Sequence, residues 1–397
     1  MELKHYKMED ALESLIDYRG KTPQKSDEGI PTLSAKSVKN GYIDYSECYY
    51  ISPEEYKRFM VRGFPKVGDI LLTTEAPMGM VARLDRDDVG IAQRLITLRG
   101  KEGILDNNYL MYYLQSAIGQ HKLAERESGS TVTGIKQAEF RKIEIDVPDI
   151  EIQRKIASCL NCIDSKIETN KKINRNLSEQ AQALYKSWFI DFEPYGGDMP
   201  ENWKEGTLGD LAEIRTDAFR PDKNPDVIVE HYSIPALDEK NYPVFEEAAG
   251  IKSNKYFVTK ADVMFSKLNP DTKRIWRPYC LSEYPVCSTE FMVYRAFKPE
   301  NKDFVYSIID SAPFLQHVCA HTSGSTNSRQ RAIPATTLNF VVIIPTNDVI
   351  KDFCGMVTPL YELIEKNIIE NQKLAETRDR ILPKLMSGEL DVSDLEI

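Results

Sequence analysis

Two stretches of the chain carry a stripe of residues at alternating steps of four and three. After Pro148 the stripe reads Ile156, Leu160, Ile163, Ile167, Asn170, Asn174, Leu177, Ala181, Leu184, Trp188. After Pro345 it reads Phe353, Val357, Leu360, Ile364, Asn367, Asn371, Leu374, Arg378, Ile381, Leu385, and each of these ten pairs is separated by 197 residues. A 3.5-residue repeat keeps one stripe turned toward a partner helix, so each stretch predicts a long helix and the two together predict a coiled coil. Two ordinary amphipathic helices, each packed on its own domain, are the plainer alternative, which a stripe of roughly nine or ten turns disfavours. The four asparagines sharpen the reading. A buried Asn needs a hydrogen-bonding partner and thereby fixes register. In an antiparallel pair, Asn170 and Asn174 meet Asn367 and Asn371 near the middle; on a solvated face they need no partner. Pro359 lacks an N–H, so either the second helix kinks there or Thr358 caps a new helix with Pro359 at its first position. Arg378 on the stripe must snorkel or find an acid, and Pro383 marks a bend before Ser387-Gly388.

These stretches divide the chain into residues 1–148, 149–193, 194–345 and 346–397. The first and third segments repeat one another. Leu12, Leu15 and Arg19 match Leu208, Leu211 and Arg215 at an offset of 196, and Gly68-Asp69-Ile70-Leu71 resembles Ala261-Asp262-Val263-Met264 at 193. Gly129-Ser130-Thr131 recurs as Gly324-Ser325-Thr326, and Ile143, Ile145, Val147 and Pro148 recur as Phe340, Val342, Ile344 and Pro345. A period of half the chain indicates a duplicated domain rather than a solenoid. Within each copy the elements mix. Pro65 to Asp69 reads as a turn feeding a strand over Ile70 to Thr73. Tyr109 to Leu123 reads as a helix with Leu110, Leu114 and Ile118 near one face, and Asp303 to Val318 is its counterpart. The fold class is therefore mixed α/β: two globular domains separated by two long helices that form an antiparallel coiled coil, with an internal two-fold repeat.

Composition changes this picture little. Apolar residues make up 42 % of 397 positions, enough for two sizeable cores. No stretch reaches the roughly 20 apolar residues of a membrane span, and the polar start Met1-Glu2-Leu3-Lys4-His5-Tyr6 is no signal peptide. The seven cysteines are scattered; Cys159-x-x-Cys162 lies inside a helical pattern without a second pair, so ordinary thiols in a reduced, cytoplasmic protein are expected. The net charge is −10, which argues against a simple DNA-coating protein. The acid excess is largest in residues 346–397, with 6 basic and 11 acidic groups, whereas residues 1–148 carry 21 and 23 and residues 194–345 carry 17 and 20. Local basic faces remain available on the globular segments.

The polar clusters that repeat are the candidate sites. Ser130, Thr131 and Thr133 are followed by Lys136; Ser325, Thr326 and Asn327 are followed by Arg329 and Arg331. Hydroxyls, backbone amides and a following cation suit phosphate oxygens, although a single such loop is equally an ordinary surface loop. Other cations and amides differ between the halves: Lys36, Arg83 and Arg94 in the first, Lys267, Asn269, Lys273, Arg274 and Arg277 in the second. Arg and Asn read base edges through paired hydrogen bonds, and divergence is what two domains reading different sequences require. No phosphate-binding glycine loop, zinc spacing or cofactor fingerprint appears, so the chain is expected to hold no catalytic residue, metal or cofactor of its own.

Taken together these residues resemble the specificity subunits of Type I restriction–modification systems over essentially the whole chain. The segment Leu382-Pro383-Lys384-Leu385-Met386-Ser387-Gly388-Glu389-Leu390 closes the second helix as such subunits do. Leu184 to Phe192, and the strand–Pro–helix junction at Val147-Pro148 with Gln153, Ile156 and Ala157, are similar to the same family. The resemblance implies two target recognition domains, each reading half of a bipartite double-stranded DNA site. It implies long helices that set the unread spacer; roughly 55 Å from Glu151 to Trp188 is about one and a half turns of duplex. It also implies two methyltransferase subunits that bring S-adenosylmethionine, and two restriction subunits that can join with ATP and Mg. Two other readings stay open: a coiled-coil scaffold that binds no DNA, and a self-contained DNA methyltransferase. The first is distinguished by a complex without sequence preference, the second by cofactor binding to the isolated chain.

Overall fold

The structure is a computed structural model that describes residues 2–18, 20, 22–129, 133–323 and 330–395. Contacts group the chain into two compact units, Met1–Lys166 with Leu374–Ile397, and Ile167–Lys373. No helix among the described residues is long and apolar enough to cross a membrane.

The first unit contains β1 (Lys4–Lys7), β2 (Leu12–Asp17), β3 (Ile70–Thr73), β4 (Val81–Arg83), β5 (Leu95–Gly100) and β6 (Glu144–Val147). Strands β1 and β6 form an antiparallel pair, and β2-β5-β3-β4 form an antiparallel sheet. A smaller sheet joins Tyr49–Ile51, Ile30–Leu33 and Gly90–Ile91. All four residues of β3 are buried. Ile70 and Leu72 pack with Ile96, Leu98 and the helix α1 (Asn107–Gln115), while Leu71 packs with Leu33, Ile91 and Leu95 on the other face. A strand covered on both sides reads as a continuous apolar run rather than an alternating one. The turn before it closes through Gly68, whose φ of 90° favours glycine, and through Asp69, whose Oδ2 accepts the Lys66 N–H at 2.8 Å. Buried Asp69 also takes a two-pronged ion pair from Arg99 on β5, Nε to Oδ1 at 2.7 Å and Nη2 to Oδ2 at 2.8 Å. That bond pins β3 against β5 at one end.

The second unit repeats the plan with β7 (Lys204–Thr207), β8 (Ala212–Arg215), β9 (Asp262–Ser266), β10 (Ile275–Trp276), β11 (Phe291–Ala296) and β12 (Val341–Ile344). Strands β7 and β12 pair, and the sheet order is β8-β11-β9-β10. Asp262 accepts from Arg295 with the same geometry, Nε to Oδ1 at 2.7 Å and Nη2 to Oδ2 at 2.8 Å, and its Oδ2 accepts the Thr259 N–H at 2.7 Å. The smaller sheet here has five strands, one of them the edge strand Val244–Glu247.

Strand register corrects the sequence alignment near each start. Met8 N–H donates to the Ile143 carbonyl and Leu208 N–H to the Phe340 carbonyl; Lys101 N–H donates to Ala11 and Phe297 N–H to Leu211. Met8 and Ala11 therefore correspond to Leu208 and Leu211, an offset of 200, and the match of Leu12, Leu15 and Arg19 at 196 was a slip by one helical turn's spacing. Leucines three apart recur too easily to set register by themselves. The expected single helices also break. Beyond α1 comes α2 (Ala117–Ala124), with Ser116 between them in extended conformation, its Oγ accepting Gly119 N–H at 3.2 Å. Likewise Ser311 separates Lys302–Asp310 from Ala312–Ala320 and caps Phe314 N–H at 3.3 Å. Serine serves both as the end of one helix and as the N-cap of the next.

The long helices are α3 (Ile150–Phe189) and, after α4 (Lys302–Asp310) and α5 (Ala312–Ala320), α6 (Asn347–Ser387). Each contributes residues to both units. All the apolar and asparagine stripe positions named above are buried or half-buried. In the first unit Ile156 and Leu160 join Ile381 and Leu385 around one core, and Arg378 meets Asp164 at 2.9 Å, which settles the cation on the stripe. Tyr112 of α1 donates to the other oxygen of Asp164 at 2.7 Å. Gln153, fully buried, accepts Asp106 N–H and donates to the Ile104 and Pro148 carbonyls. In the second unit Asn170 donates to Asn371 Oδ1 at 2.9 Å and Asn367 donates to Asn174 Oδ1 at 2.8 Å. The partners run 170 with 371 and 174 with 367, so the helices pair antiparallel there. Since 170 corresponds to 367 and 174 to 371, the two bonds are images of each other under the repeat. Helix α6 passes through Pro359 without restarting, and Thr358 donates to Asp303 Oδ2 at 2.6 Å rather than capping a new helix. Pro359 and Gly355, the residue four earlier whose carbonyl loses its donor, both face solvent, where water replaces the missing bond.

Of two arginines expected to read bases, Arg277 is enclosed in the fold and Arg83 stays exposed. Arg83 and Arg277 occupy equivalent positions on β4 and just after β10. Arg83 Nη1 donates to Asn108 Oδ1 at 2.6 Å at the start of α1. Arg277 lies 2.9 Å from Asp303 at the start of α4, with side chains only 11 % and 7 % exposed, and stacks over Tyr361 and Tyr306 with centroid distances of 5.0 and 5.6 Å. A cation this enclosed has no face to offer a base edge.

Two outcomes follow from this packing. Replacing Asn371 with Leu removes one of the two acceptors of the Asn170 amide, which keeps Glu370 Oε2 at 2.7 Å, and is expected to cost about 0.5–1.5 kcal/mol in urea denaturation. Replacing Arg277 with Ala leaves buried Asp303 without its cation, with only the Thr358 hydroxyl donating to it. Its expected cost is about 3–5 kcal/mol, whereas Lys36→Ala at an exposed turn is expected within about 0.5 kcal/mol of the parent; thermal denaturation of the two variants makes the comparison.

Candidate nucleic-acid interface

The buried Asp–Arg bond holds one end of the β3–β5 pair, and three loops converge at the other end. In the first unit these are residues 74–80 after β3, Arg94 before β5, and the described residues 128, 129 and 133–136. Thr74 N–H donates to the Arg94 carbonyl at 2.9 Å, and Ile135 N–H donates to the Thr74 carbonyl at 3.0 Å. Gly134 bridges to both Glu75 and Ser128. A Cβ on Gly134 would sit 2.6 Å from the Thr74 carbonyl oxygen, so the close approach of these two backbones requires glycine. Gln120 of α2 reaches the Gly79 carbonyl at 2.9 Å and secures the first loop from behind.

The second unit builds the same junction from Lys267 onward, from Glu290, and from the stem around Arg331. Lys267 N–H donates to the Glu290 carbonyl at 2.7 Å, Ala332 N–H to the Lys267 carbonyl at 2.9 Å, and Asn269 N–H to the Gln330 carbonyl at 2.9 Å. Leu268 bridges to Arg331, and Thr322–Ser323 pairs with Arg331–Ala332. Lys267 thus stands where Thr74 does, Glu290 where Arg94 does, and Arg331 where Gly134 does.

Several sequence candidates therefore come together. Arg94, Thr133 and Lys136 belong to the first junction; Lys267, Asn269 and Arg331 belong to the second. Thr133 and Lys136 are exposed. Ser130, Thr131, Ser325, Thr326, Asn327 and Arg329 lie outside the described residues, between the strands and turns that form the stems. Lys36 sits apart, exposed in a turn after Ile30–Leu33. Lys273 and Arg274, like Arg277, are tied to acids of the fold. Lys273 pairs with buried Asp310. Arg274 gives Nε and Nη2 to the two oxygens of Asp238 at 2.6 and 2.9 Å, and its Nη1 is buried. Their partners lie tens of residues away in the chain, which no local pattern reveals.

What the sequence reading missed is the acid at each junction. Arg94 Nε lies 3.2 Å from Glu75, and Arg331 gives Nε and Nη2 to Glu290 at 3.0 and 3.2 Å. The Glu290 carboxylate holds the Arg331 guanidinium above its ordinary pKa. No repeat in the sequence marks these pairs, because the acid and the arginine occupy different positions in the two copies. A cleft of about 750 Å³ in the second unit lies elsewhere, along α6, between cations Lys260, Lys302 and Lys366 and acids Glu300, Glu362 and Glu365. Burial pushes the Lys302 ammonium down to about 8 and the Glu365 carboxyl up. Its alternating charges favour no single ligand sign. Among the described residues no group of three or more His, Cys, Asp or Glu is placed to hold a metal ion.

Known proteins share this arrangement. The Type I restriction modification DNA specificity domain matches residues 6–179. The specificity subunit of the Type I restriction enzyme MjaIX of Methanocaldococcus jannaschii is 28 % identical over 388 residues, covering 92 % of this chain and 88 % of that protein. The HindI specificity subunit of Haemophilus influenzae is 23 % identical over 403 residues, covering 82 % and 87 %. The crystal structure of a Type I restriction–modification S subunit from M. genitalium has the same fold, with a TM-score of 0.55 at 15 % identity over 97 % of this chain and 96 % of that one. With the duplicated junctions, the paired long helices and these matches in hand, the chain is similar in sequence and fold to the specificity subunits of Type I restriction–modification systems.

Proposed function

We propose that this chain is the DNA-reading subunit of a Type I modification complex, and that each unit reads one half of a bipartite site through its three-loop junction. The observation that carries this reading is the recurrence of the junction. The same strand pair, locked by the same Asp–Arg bond, presents an arginine and a convergent set of loop backbones in both units, while the surrounding residues differ. Conserved scaffold with divergent tips is what two readers of different sequences need.

The chemistry divides within each junction. Lys136 and Thr133 are placed to take phosphate oxygens, which positions the protein without reading sequence. Arg94 in one unit, with Lys267, Asn269 and Arg331 in the other, carry the donors and acceptors that distinguish base edges. Arg331 moves here from the phosphate group, because its stem position places it beside Lys267 and Asn269. The net charge of −10 is supplemented by partners. Two methyltransferase subunits bring S-adenosylmethionine and transfer the methyl group to adenine, and two restriction subunits bring ATP and Mg where present. This chain contributes recognition and docking, and no reacting group.

The test is co-expression with its methyltransferase partner, followed by mapping of methylated adenines by single-molecule sequencing. A two-part motif with an unread gap, lost when this chain is omitted, is expected. Lys136→Ala is expected to weaken binding to all sequences alike and to lower the slope of log K against log salt by about one unit. Lys267→Ala is expected to relax one position in one half of the motif by about 1–3 kcal/mol and to leave the other half intact. A stable complex without sequence preference would replace this reading with a scaffold, and binding of S-adenosylmethionine to the isolated chain would replace it with a methyltransferase.

A further inference from the structure

The two arginine–glutamate pairs at the junctions share a geometry although their residues do not correspond. In the first unit the acid comes from the loop after β3 and the arginine from the position before β5. In the second the acid occupies that latter position, and the arginine comes from the stem. Each junction nevertheless holds one guanidinium and one carboxylate. In both, the acid is the more buried partner: the Glu75 and Glu290 side chains are 23 % and 33 % exposed, those of Arg94 and Arg331 50 % and 52 %. The carboxylate lies beneath and the guanidinium is presented outward.

The Nε side faces the acid in both: Arg94 Nε lies 3.2 Å from Glu75 Oε1 as an ion-pair contact, and Glu290 accepts hydrogen bonds from Nε and the adjacent Nη2 of Arg331. Among the described residues neither guanidinium donates to another acid or carbonyl, so with respect to these residues the end-on edge of Nη1 and Nη2 is open. That edge is the donor fork that matches guanine O6 and N7 in the major groove. Half-exposed pairs of this kind add only about 0–1 kcal/mol to folding, so stability does not account for their recurrence. Backbone strain points the same way. Arg94 has a φ of 73°, in the left-handed region where glycine would sit without penalty. A bulky side chain retained at such a position indicates a demand on the side chain itself.

We infer that Glu75 and Glu290 are positioning residues that hold Arg94 and Arg331 with the end-on edge outward, and that each arginine reads a guanine in its half of the DNA site. The carboxylate does two things. It fixes the fork, so less side-chain freedom is lost on binding. It also neutralises the guanidinium, so the arginine gains little from random phosphate contact and its contribution goes to the matched base. This inference rests on the functional reading above and adds to it the base recognised and the residues that enforce the choice.

The experiment uses the full complex with its methyltransferase partner and compares the parent with Glu75→Gln, Glu290→Gln, Arg94→Ala and Arg331→Ala. The readouts are the methylated motif and the affinity for matched and for unrelated duplexes across salt. Expected for Glu75→Gln is loss of a guanine preference, by about 5- to 100-fold, at one position of one half-motif, with the other half unchanged. Glu290→Gln is expected to do the same in the opposite half. Affinity for unrelated duplex is expected to stay level or rise, with a salt slope steeper by about one unit. The double variants E75Q/R94A and E290Q/R331A are expected to be no less selective than the arginine variants alone, because each acid acts through its arginine. Full guanine selectivity in the glutamine variants overturns the inference, as does relaxation at a position that is not guanine. Parallel weakening of both halves and of unrelated duplex, with a lowered melting temperature, also overturns it and assigns the acids a structural role. A parent complex with no bipartite motif overturns the functional reading, and this inference with it.

Discussion

The register between β3 and β5, and between β9 and β11, is the constraint on which the rest depends. A one-residue slip in an antiparallel pair would turn buried side chains to the opposite face. Both faces of these sheets are covered, so the apolar run Ile70-Leu71-Leu72 does not by itself choose a register. A buried carboxylate does. Asp69 and Asp262 accept two hydrogen bonds from an arginine on the neighbouring strand and a third from the turn that precedes them. Shifting the strand would leave a buried charge unpaired, a penalty of about 3–5 kcal/mol. The bond lies at one end of the strand pair, and the loops at the other end inherit their alignment from it.

The long helices show the same logic in a weaker currency of neutral hydrogen bonds. Apolar stripes tolerate sliding, because one leucine replaces another at each turn. The Asn170–Asn371 and Asn174–Asn367 bonds do not. Because the two bonds are images under the repeat, a single register satisfies both. In the first unit the charged pair Asp164–Arg378 and the buried Gln153 hold the corresponding helical segments, and Tyr112 ties α1 to the same carboxylate.

Against this rigid background the junction arginines are distinguished from the rest by what surrounds them. Arg274 and Arg277 are enclosed and hold elements in place. Arg94 and Arg331 are held by acids that leave one edge of the guanidinium outward. An acidic protein can in this way keep its few outward-facing cations for matched contacts, while partner subunits contribute to the general attraction for a polyanion.

The duplicated plan, the two long helices with their asparagines, the strand at Ile70 to Thr73 and the likeness to a family were all legible in the residues. Each rests on local periodicity or on identities repeated at a fixed distance, and neither requires knowledge of the fold. The breaks at Ser116 and Ser311, the offset of 200 at the first strands and the unbroken passage of α6 through Pro359 were not legible. They depend on which backbone groups find partners across the sheet or in solvent. Nor does residue type separate Arg94 and Arg331 from Arg83, Arg274 and Arg277. All five are arginines in loops or at strand ends, and their partners, Glu75, Glu290, Asn108, Asp238 and Asp303, come from other parts of the chain. Sequence by itself determined where cations stand along the chain; the tertiary structure decided which of them are enclosed and which are presented, because strand pairing brings to each one the acid and the burial that set its freedom.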